Sequence, residues 1–216
     1  MKVLALDSTL AACSVAVVDD DEVLANGWET MTRGHAERMI PMTLEVMERA
    51  GMAFDQLNLV AVTVGPGSFT GVRVGLAAAR GLALAAKLPI VGFTTHETLA
   101  ASVDTNSFAG RSLAVALDAR RGQIYLQTFA HDGAALSPPL IAERADCRLP
   151  EGSWLAVGSG ANAFADQAGV MIGPEEHLPD ARNVAALAIQ RFGHGGEPFP
   201  KAPPAPLYLR AADAKR

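Results

Sequence analysis

The 216-residue sequence predicts an α/β fold of two related halves, each a small mixed sheet flanked by helices. Two orderings of motifs carry that expectation, and each occurs twice. An apolar strand ending in aspartate, a polar turn and a second strand are read at 2–18 and again at 112–129, so Asp7 and Asp118 hold equivalent places. A strand entering a glycine loop and then a helix is read at 59–84, through VGPGSFTG, and again from Trp154 through GSGANAF. The third observation is composition. Half of the residues are hydrophobic, 19% are charged and few are aromatic, so a core of Ala, Val, Leu and Met is expected.

The elements follow in order. The run 2–6 is apolar and ends at Asp7. Ser14 to Val18 leads into the acidic turn DDDE, and Val23 with Leu24 begins a third strand, completing an antiparallel meander. A helix is expected from Arg33 to Gly51, closed by that glycine, with a ragged start or a kink at Pro41. Leu59 to Val64 reads as a strand, followed by the glycine loop, a long helix to about Lys87 and a short strand, PIVGF. Thr94 and Glu97 match a capping box for a helix around His96 to Ser102. The polar stretch DTNSFAGR reads as a junction between residues 1–105 and 106–216. Beyond it, Gln123 to Phe129 alternates as a strand, and the loop at Gly158 opens a further helix. The Pro-rich tail is extended, with PLYLR docked and the last residues frayed.

The net charge of −5, from 18 Lys plus Arg against 23 Asp plus Glu, is no footprint for gripping nucleic acid alone. Any RNA role would work through a partner. Asp7 interrupts the first apolar run, which argues against a signal peptide. No stretch approaches the roughly 20 apolar residues of a membrane span. Cys13 and Cys147 suit a reduced cytosolic protein in which they simply pack. Cytoplasm is the expected compartment.

The loop at Gly65 has the layout of a phosphate-binding loop but not its chemistry. A P-loop needs GxxxxGK[ST], and Val72 stands where the lysine belongs. A dinucleotide loop needs GxGxxG, and this one is a residue too long. The following helix carries Gly71, Gly75, Ala79 and Ala83 at spacing four. Gly in a helix interior costs about 0.5–1 kcal/mol relative to Ala, so Gly75 and Gly81 need a reason. Two remain open: close packing on the protein's own sheet, or a partner helix. Arg73, Arg80 and Lys87 mark a wetter face. Five of the seven methionines fall between Met31 and Met52, a composition suited to core or to an adaptable docking surface. His35, His96, His131, His177 and His194 show no metal-ligand spacing, no GxSxG appears, and Ser68 has no assignable base.

LALDSTLAACSVAVV, GHAERMIPM, VGPGSFTGVRVGLAAARGLA, LDARRGQIY and PLYLR together resemble the bacterial TsaB proteins. The resemblance implies the actin, sugar kinase and Hsp70 (ASKHA) superfamily fold. It also implies a role in forming threonylcarbamoyladenosine on tRNAs that read codons beginning with A. There TsaB pairs with the metal-binding transferase TsaD, and the ATPase TsaE joins them. The paired-histidine metal motif of the TsaD relatives is missing here, where only His35 stands, so the chain resembles the non-catalytic member.

The expected docking face lies on helices Arg33–Ala50 and Thr70–Ala86, through His35, Met39, Met42, Val46, Gly71, Val72, Gly75, Leu76, Ala79 and Ala83. TsaD would bind there, and a second copy of this chain in its absence. Asp7, Ser8, Gly67, Ser68 and Arg73 are candidate contacts for an anion or nucleotide. No metal and no tightly bound cofactor are expected, with ATP or ADP at the partner junction as the exception. Contact with tRNA comes only through the complex, and none with membrane is expected. The rival readings are an ATP-binding phosphotransferase of sugar-kinase type, suggested by Asp7, Asp118 and the two glycine loops, and an M22-type metallopeptidase homologue.

Overall fold

Alternation along the first strand, β1 (Lys2–Asp7), sends Leu4 and Leu6 to one face and Val3 and Ala5 to the other, and all four are buried. Both faces must therefore be covered. β1 pairs antiparallel with β2 (Ala12–Asp19), which pairs antiparallel with β3 (Glu22–Thr30). On its other side β1 pairs parallel with β4 (Leu59–Thr63), and β4 with β5 (Ile90–Phe93), giving the order β3-β2-β1-β4-β5. The structure is a computed structural model that describes residues 1–104, 110–174 and 177–210.

The second sheet repeats the plan strand for strand. β6 (Ser112–Arg120) pairs antiparallel with β7 (Gln123–Phe129), and β7 with β8 (Leu140–Glu143). β9 (Trp154–Val157) lies parallel to β6, and β10 (Val170–Ile172) parallel to β9. The order is β8-β7-β6-β9-β10, with β6 in the place of β1 and β9 in that of β4. The duplication read from the motif order is the architecture: two five-stranded mixed sheets built on one strand plan.

Helices α1 (His35–Arg49) and α2 (Phe69–Ala86) cover the Leu4 face of the first sheet. Pro41 neither frays nor interrupts α1, which is helical throughout. Its missing N–H falls on the exposed side, where water can satisfy the freed carbonyl. Gly51, in the left-handed region at φ 63°, ends the helix as expected. The capping box forms as well. The Glu97 carboxylate accepts from Thr94 N at 2.7 Å and Thr94 Oγ1 accepts from Glu97 N at 3.0 Å, opening α3 (Thr95–Ser102).

By length and composition alone α2 would suffice to cross a membrane: 18 residues with a mean hydropathy of 1.2. The sequence reading missed this because Arg73 and Arg80 punctuate the run. One face of α2 packs on the first sheet.

The expected helix after the second glycine loop is absent. A single 3₁₀ turn, Ala161–Phe164, takes its place. Gly160 presses on β6, where a Cβ would lie 3.1 Å from the carbonyl carbons of Ala116 and Leu117. The chain then turns at once toward β10. A different helix, α4 (Ala181–Phe192), covers the Val3 face of the first sheet, with Ala181, Val184, Ala185 and Ala188 packed on Ala5, Ala16, Ala61 and Phe93. The expected boundary between 105 and 106 is corrected accordingly. One compact unit comprises residues 1–98 with 178–207, the other 99–177 with 208–216. The first sheet needs α4 to bury its second face, and local sequence does not announce that. Most of the predicted junction, 105–109, and the frayed end, 211–216, lie outside the described residues. PLYLR docks as expected: Leu207 N donates to Val64 O at 2.8 Å, and the Arg210 guanidinium donates to Gln123 Oε1.

Because Ala185 sits fully buried among other small residues, Ala185→Leu should overpack this layer. A loss of about 1–3 kcal/mol in urea unfolding is expected.

Candidate functional site

The segment Asp7-Ser8-Thr9 leaves the end of β1, and the loop Gly65–Ser68 leaves the end of the neighbouring parallel strand β4. Parallel pairing brings the two corners together. The backbone locks them: Ser68 N donates to Thr9 O at 2.7 Å, and Ser8 Oγ donates to the Gly71 carbonyl at 2.8 Å. Ser68 also caps α2, its Oγ accepting from Gly71 N at 2.9 Å.

The glycines are there for this corner. A Cβ on Gly67 would overlap the Thr9 carbonyl oxygen, and one on Gly71 the Ser8 carbonyl oxygen. At Gly75 it would stand 2.7 Å from Ser8 Oγ. Gly81 differs. It is exposed, with nothing within 4 Å of its Cβ position.

Asp7 is wholly buried. Its Oδ1 accepts from Thr9 N at 3.3 Å, Thr9 Oγ1 at 2.7 Å and Thr63 Oγ1, while Oδ2 has no hydrogen-bond partner. Burial pushes its pKa upward; the hydroxyls of Thr63 and Thr9 oppose the shift without cancelling it. Cys13, free and buried, has its thiol pushed up to about 12, chiefly by burial, so it is no nucleophile at neutral pH. Cys147 is likewise free, buried and shifted upward.

The structure brings Asp7, Ser8, Gly67 and Ser68 together but offers little of them to a ligand: Asp7 is 0% and Ser8 1% exposed. Ser68 and Arg73 face outward, with the Arg73 guanidinium 3.5 Å above the Phe69 ring. A groove of about 620 Å³ between β3 and α1, lined by Trp28, Glu29, Arg38 and Glu45, includes none of these corner residues. In it Arg38 bridges Glu29 and Glu45. Among the described residues, no three His, Cys, Asp or Glu side chains are placed to hold a metal ion.

The expected docking residues require a correction. His35, Met39, Met42, Val46, Gly71, Val72, Gly75, Leu76, Ala79 and Ala83 are all buried. His35 donates from Nε2 to Leu10 O at 3.1 Å, and Met39, Met42, Val46, Leu76, Ala79 and Ala83 form the core under α1 and α2. The outward surface consists of residues the sequence reading did not select. Ala36, Ile40 and Leu44 follow each other at spacing four on α1; Ala77, Gly81, Leu84 and Ala85 lie on α2, with Leu84 82% exposed. The available signal was the unexplained Gly81.

The family model of TsaD, tRNA N6-adenosine threonylcarbamoyltransferase, matches residues 25–144. The tRNA threonylcarbamoyladenosine biosynthesis protein TsaB of Escherichia coli is 36% identical over 209 residues, spanning 90% of this chain and 89% of the relative. Its namesake from Bacillus subtilis is 32% identical over 63% of this chain and 58% of the relative. A solved structure from Pseudomonas aeruginosa, described as similar to peptidase YEAZ, superposes with a TM-score of 0.82 at 26% identity, covering 97% of this chain and 99% of that one.

Two measurements check the corner. In urea unfolding, Gly71→Ala should destabilise by about 2–3 kcal/mol through overlap with Ser8, whereas Gly81→Ala should stabilise by about 0.5–1 kcal/mol. For Asp7 the folded pKa lies above the unfolded one, so its contribution is full below about pH 3.9 and is lost as pH rises through the folded value. Asp7→Asn removes that titration. The stability difference should therefore move in favour of the variant between pH 4 and pH 8.

Proposed function

The chain belongs to the TsaB family, and on that premise we propose that it serves threonylcarbamoyladenosine formation on tRNA as the non-catalytic partner of a TsaD-type transferase. The observation that carries the non-catalytic part is the closed corner. Asp7, the residue a phosphotransferase of this fold would turn toward phosphate and metal, is buried and held by two threonines. A wholly buried carboxylate with a raised pKa is poorly suited to bind magnesium.

The docking surface in this reading is the outer side of α1 and α2. Ile40, Leu44 and Leu84 are large, apolar and exposed there, and Gly81 leaves room for another backbone to come close. The chain's own packing accounts for Gly71 and Gly75 but not for Gly81. The same face accepts a second copy when the transferase is missing, as a two-fold dimer. The chain acts by holding its partner in a competent shape, and the TsaE-type ATPase joins the assembled pair. No tightly bound cofactor is assigned. An adenine nucleotide, ATP or ADP, belongs at the partner junction beside exposed Ser68 and Arg73. The tRNA is reached through the complex, in the cytoplasm.

Leu84→Glu and Leu44→Glu test the reading. Each should leave stability within about 0.5 kcal/mol, as surface changes do, and weaken pairing with the transferase at least about tenfold by burying a charge at an apolar contact. Reconstituted tRNA modification should fall in parallel. Undiminished co-elution and modification with either variant would remove the outer face from the account.

A further inference from the structure

We propose that Pro41 shapes the contact with the transferase: it holds the backbone carbonyl of Glu37 open on the outer side of α1, where that oxygen accepts a hydrogen bond from an arginine or lysine of the docked partner. This contact rests on the docking face proposed above and adds the chemistry of one point on it.

Proline is the costliest residue in a helix interior, because it has no N–H to give and its ring crowds the preceding turn. It is tolerated at the first helical position, where the N–H lacks an acceptor in any case. Pro41 does not stand there: it is the seventh of the fifteen residues of α1. The helix continues through it, so the ring serves neither as a stop nor as a break. It is exposed, and it is absent from the core under α1, which Met39, Met42, Val46 and Met47 supply. What Pro41 changes is the hydrogen-bond ladder. Residue 41 would donate to residue 37 in the α-helical pattern, so the Glu37 carbonyl is left without its helical donor. In the isolated chain water can meet that oxygen. At an apolar contact between helices water is excluded, and an acceptor left unmet there is costly. A donor from the partner removes that cost.

The surroundings say which donor. Glu37, Pro41, Leu44 and Glu48 succeed one another at spacings of four, three and four and are all exposed, so they form one stripe along α1. Its middle is apolar, with Ile40 alongside, and a carboxylate stands at each end. Among the described residues neither Glu37 nor Glu48 has an ion-pair partner. The two arginines of α1 are engaged elsewhere: Arg38 bridges Glu29 and Glu45, and the Arg49 guanidinium donates to the Asn26 carbonyl. Glu37, in the first turn, favours the helix dipole, but Glu48, in the last, stands against it. A cationic side chain answers both features, its N–H groups meeting the open carbonyl and its charge the carboxylates of the stripe.

The test measures pairing of the full chain with its TsaD-type transferase by calorimetry across a salt series. P41A restores the N–H to the ladder. The thermal midpoint of the chain alone should rise by about 5 °C or more, while pairing should weaken about tenfold. Lactic acid at position 41, introduced by nonsense suppression, is the ester analogue of alanine and has neither ring nor N–H. It leaves the Glu37 carbonyl open and should keep native affinity. E37Q should flatten the dependence of affinity on salt. Native pairing by P41A would overturn the proposal. Equal losses with alanine and lactic acid would do the same, because the ring and not the carbonyl would then make the contact. An unchanged salt dependence in E37Q would remove the cationic donor. Native pairing by Leu44→Glu and Leu84→Glu is a separate outcome, and it would overturn the docking face beneath this contact.

Discussion

The backbone of Gly71 runs against the backbone of Ser8 so closely that a single methyl group between them would collide. Much of the first unit's arrangement depends on that approach. Ser8 donates to the Gly71 carbonyl, Thr9 O accepts from Ser68 N, and Ser68 in turn caps α2. These bonds set where α2 starts and how it is rotated on the sheet. With that rotation fixed, Leu76, Ala79 and Ala83 face the strands, and Ala77, Gly81 and Leu84 face outward. The same approach closes the corner over Asp7. That closure leaves Asp7 wholly buried.

The two halves show what one strand plan permits. In the first, the connection after β4 is long enough for an 18-residue helix, and both faces of the sheet are covered, one by α1 and α2 and the other by α4. In the second, the connection after β9 is short, and its glycines press on β6 so closely that only a 3₁₀ turn forms. The equivalent aspartates diverge as a result. Asp7 is buried under its loop, whereas Asp118 stays exposed and braces a turn carrying arginines. Duplication conserved hydrogen-bonded strand pairing, and the connections carried the difference.

The chain's glycines differ in the same way. Gly67, Gly71 and Gly75 are explained by their own fold, because a side chain at any of them would meet the corner. Gly81 is not explained that way. An exposed helical glycine lowers stability with no internal contact to account for it.

What the sequence by itself determined was local or periodic. The strands of the first sheet and β6, β7 and β9 of the second, the order that revealed the duplication, the capping box at Thr94 and Glu97 and the helix end at Gly51 all follow from alternation, spacing and cap chemistry within a few residues, whereas the short edge strands β8 and β10 carried no such signal. The stripe at 71, 75, 79 and 83 was equally legible as a place where something comes near. Only the tertiary structure decided what that something is. A missing side chain records proximity but not what comes near, and the arginines at 73 and 80 mark one outward face of α2 without saying what covers the glycine stripe. The corner that fills the space comes from 63 residues earlier in the chain. For the same reason α4 could not be assigned to the first sheet in advance. Its partners, Ala5, Ala16 and Ala61, are distant in sequence and small, and they meet it only when parallel pairing has built the face they share.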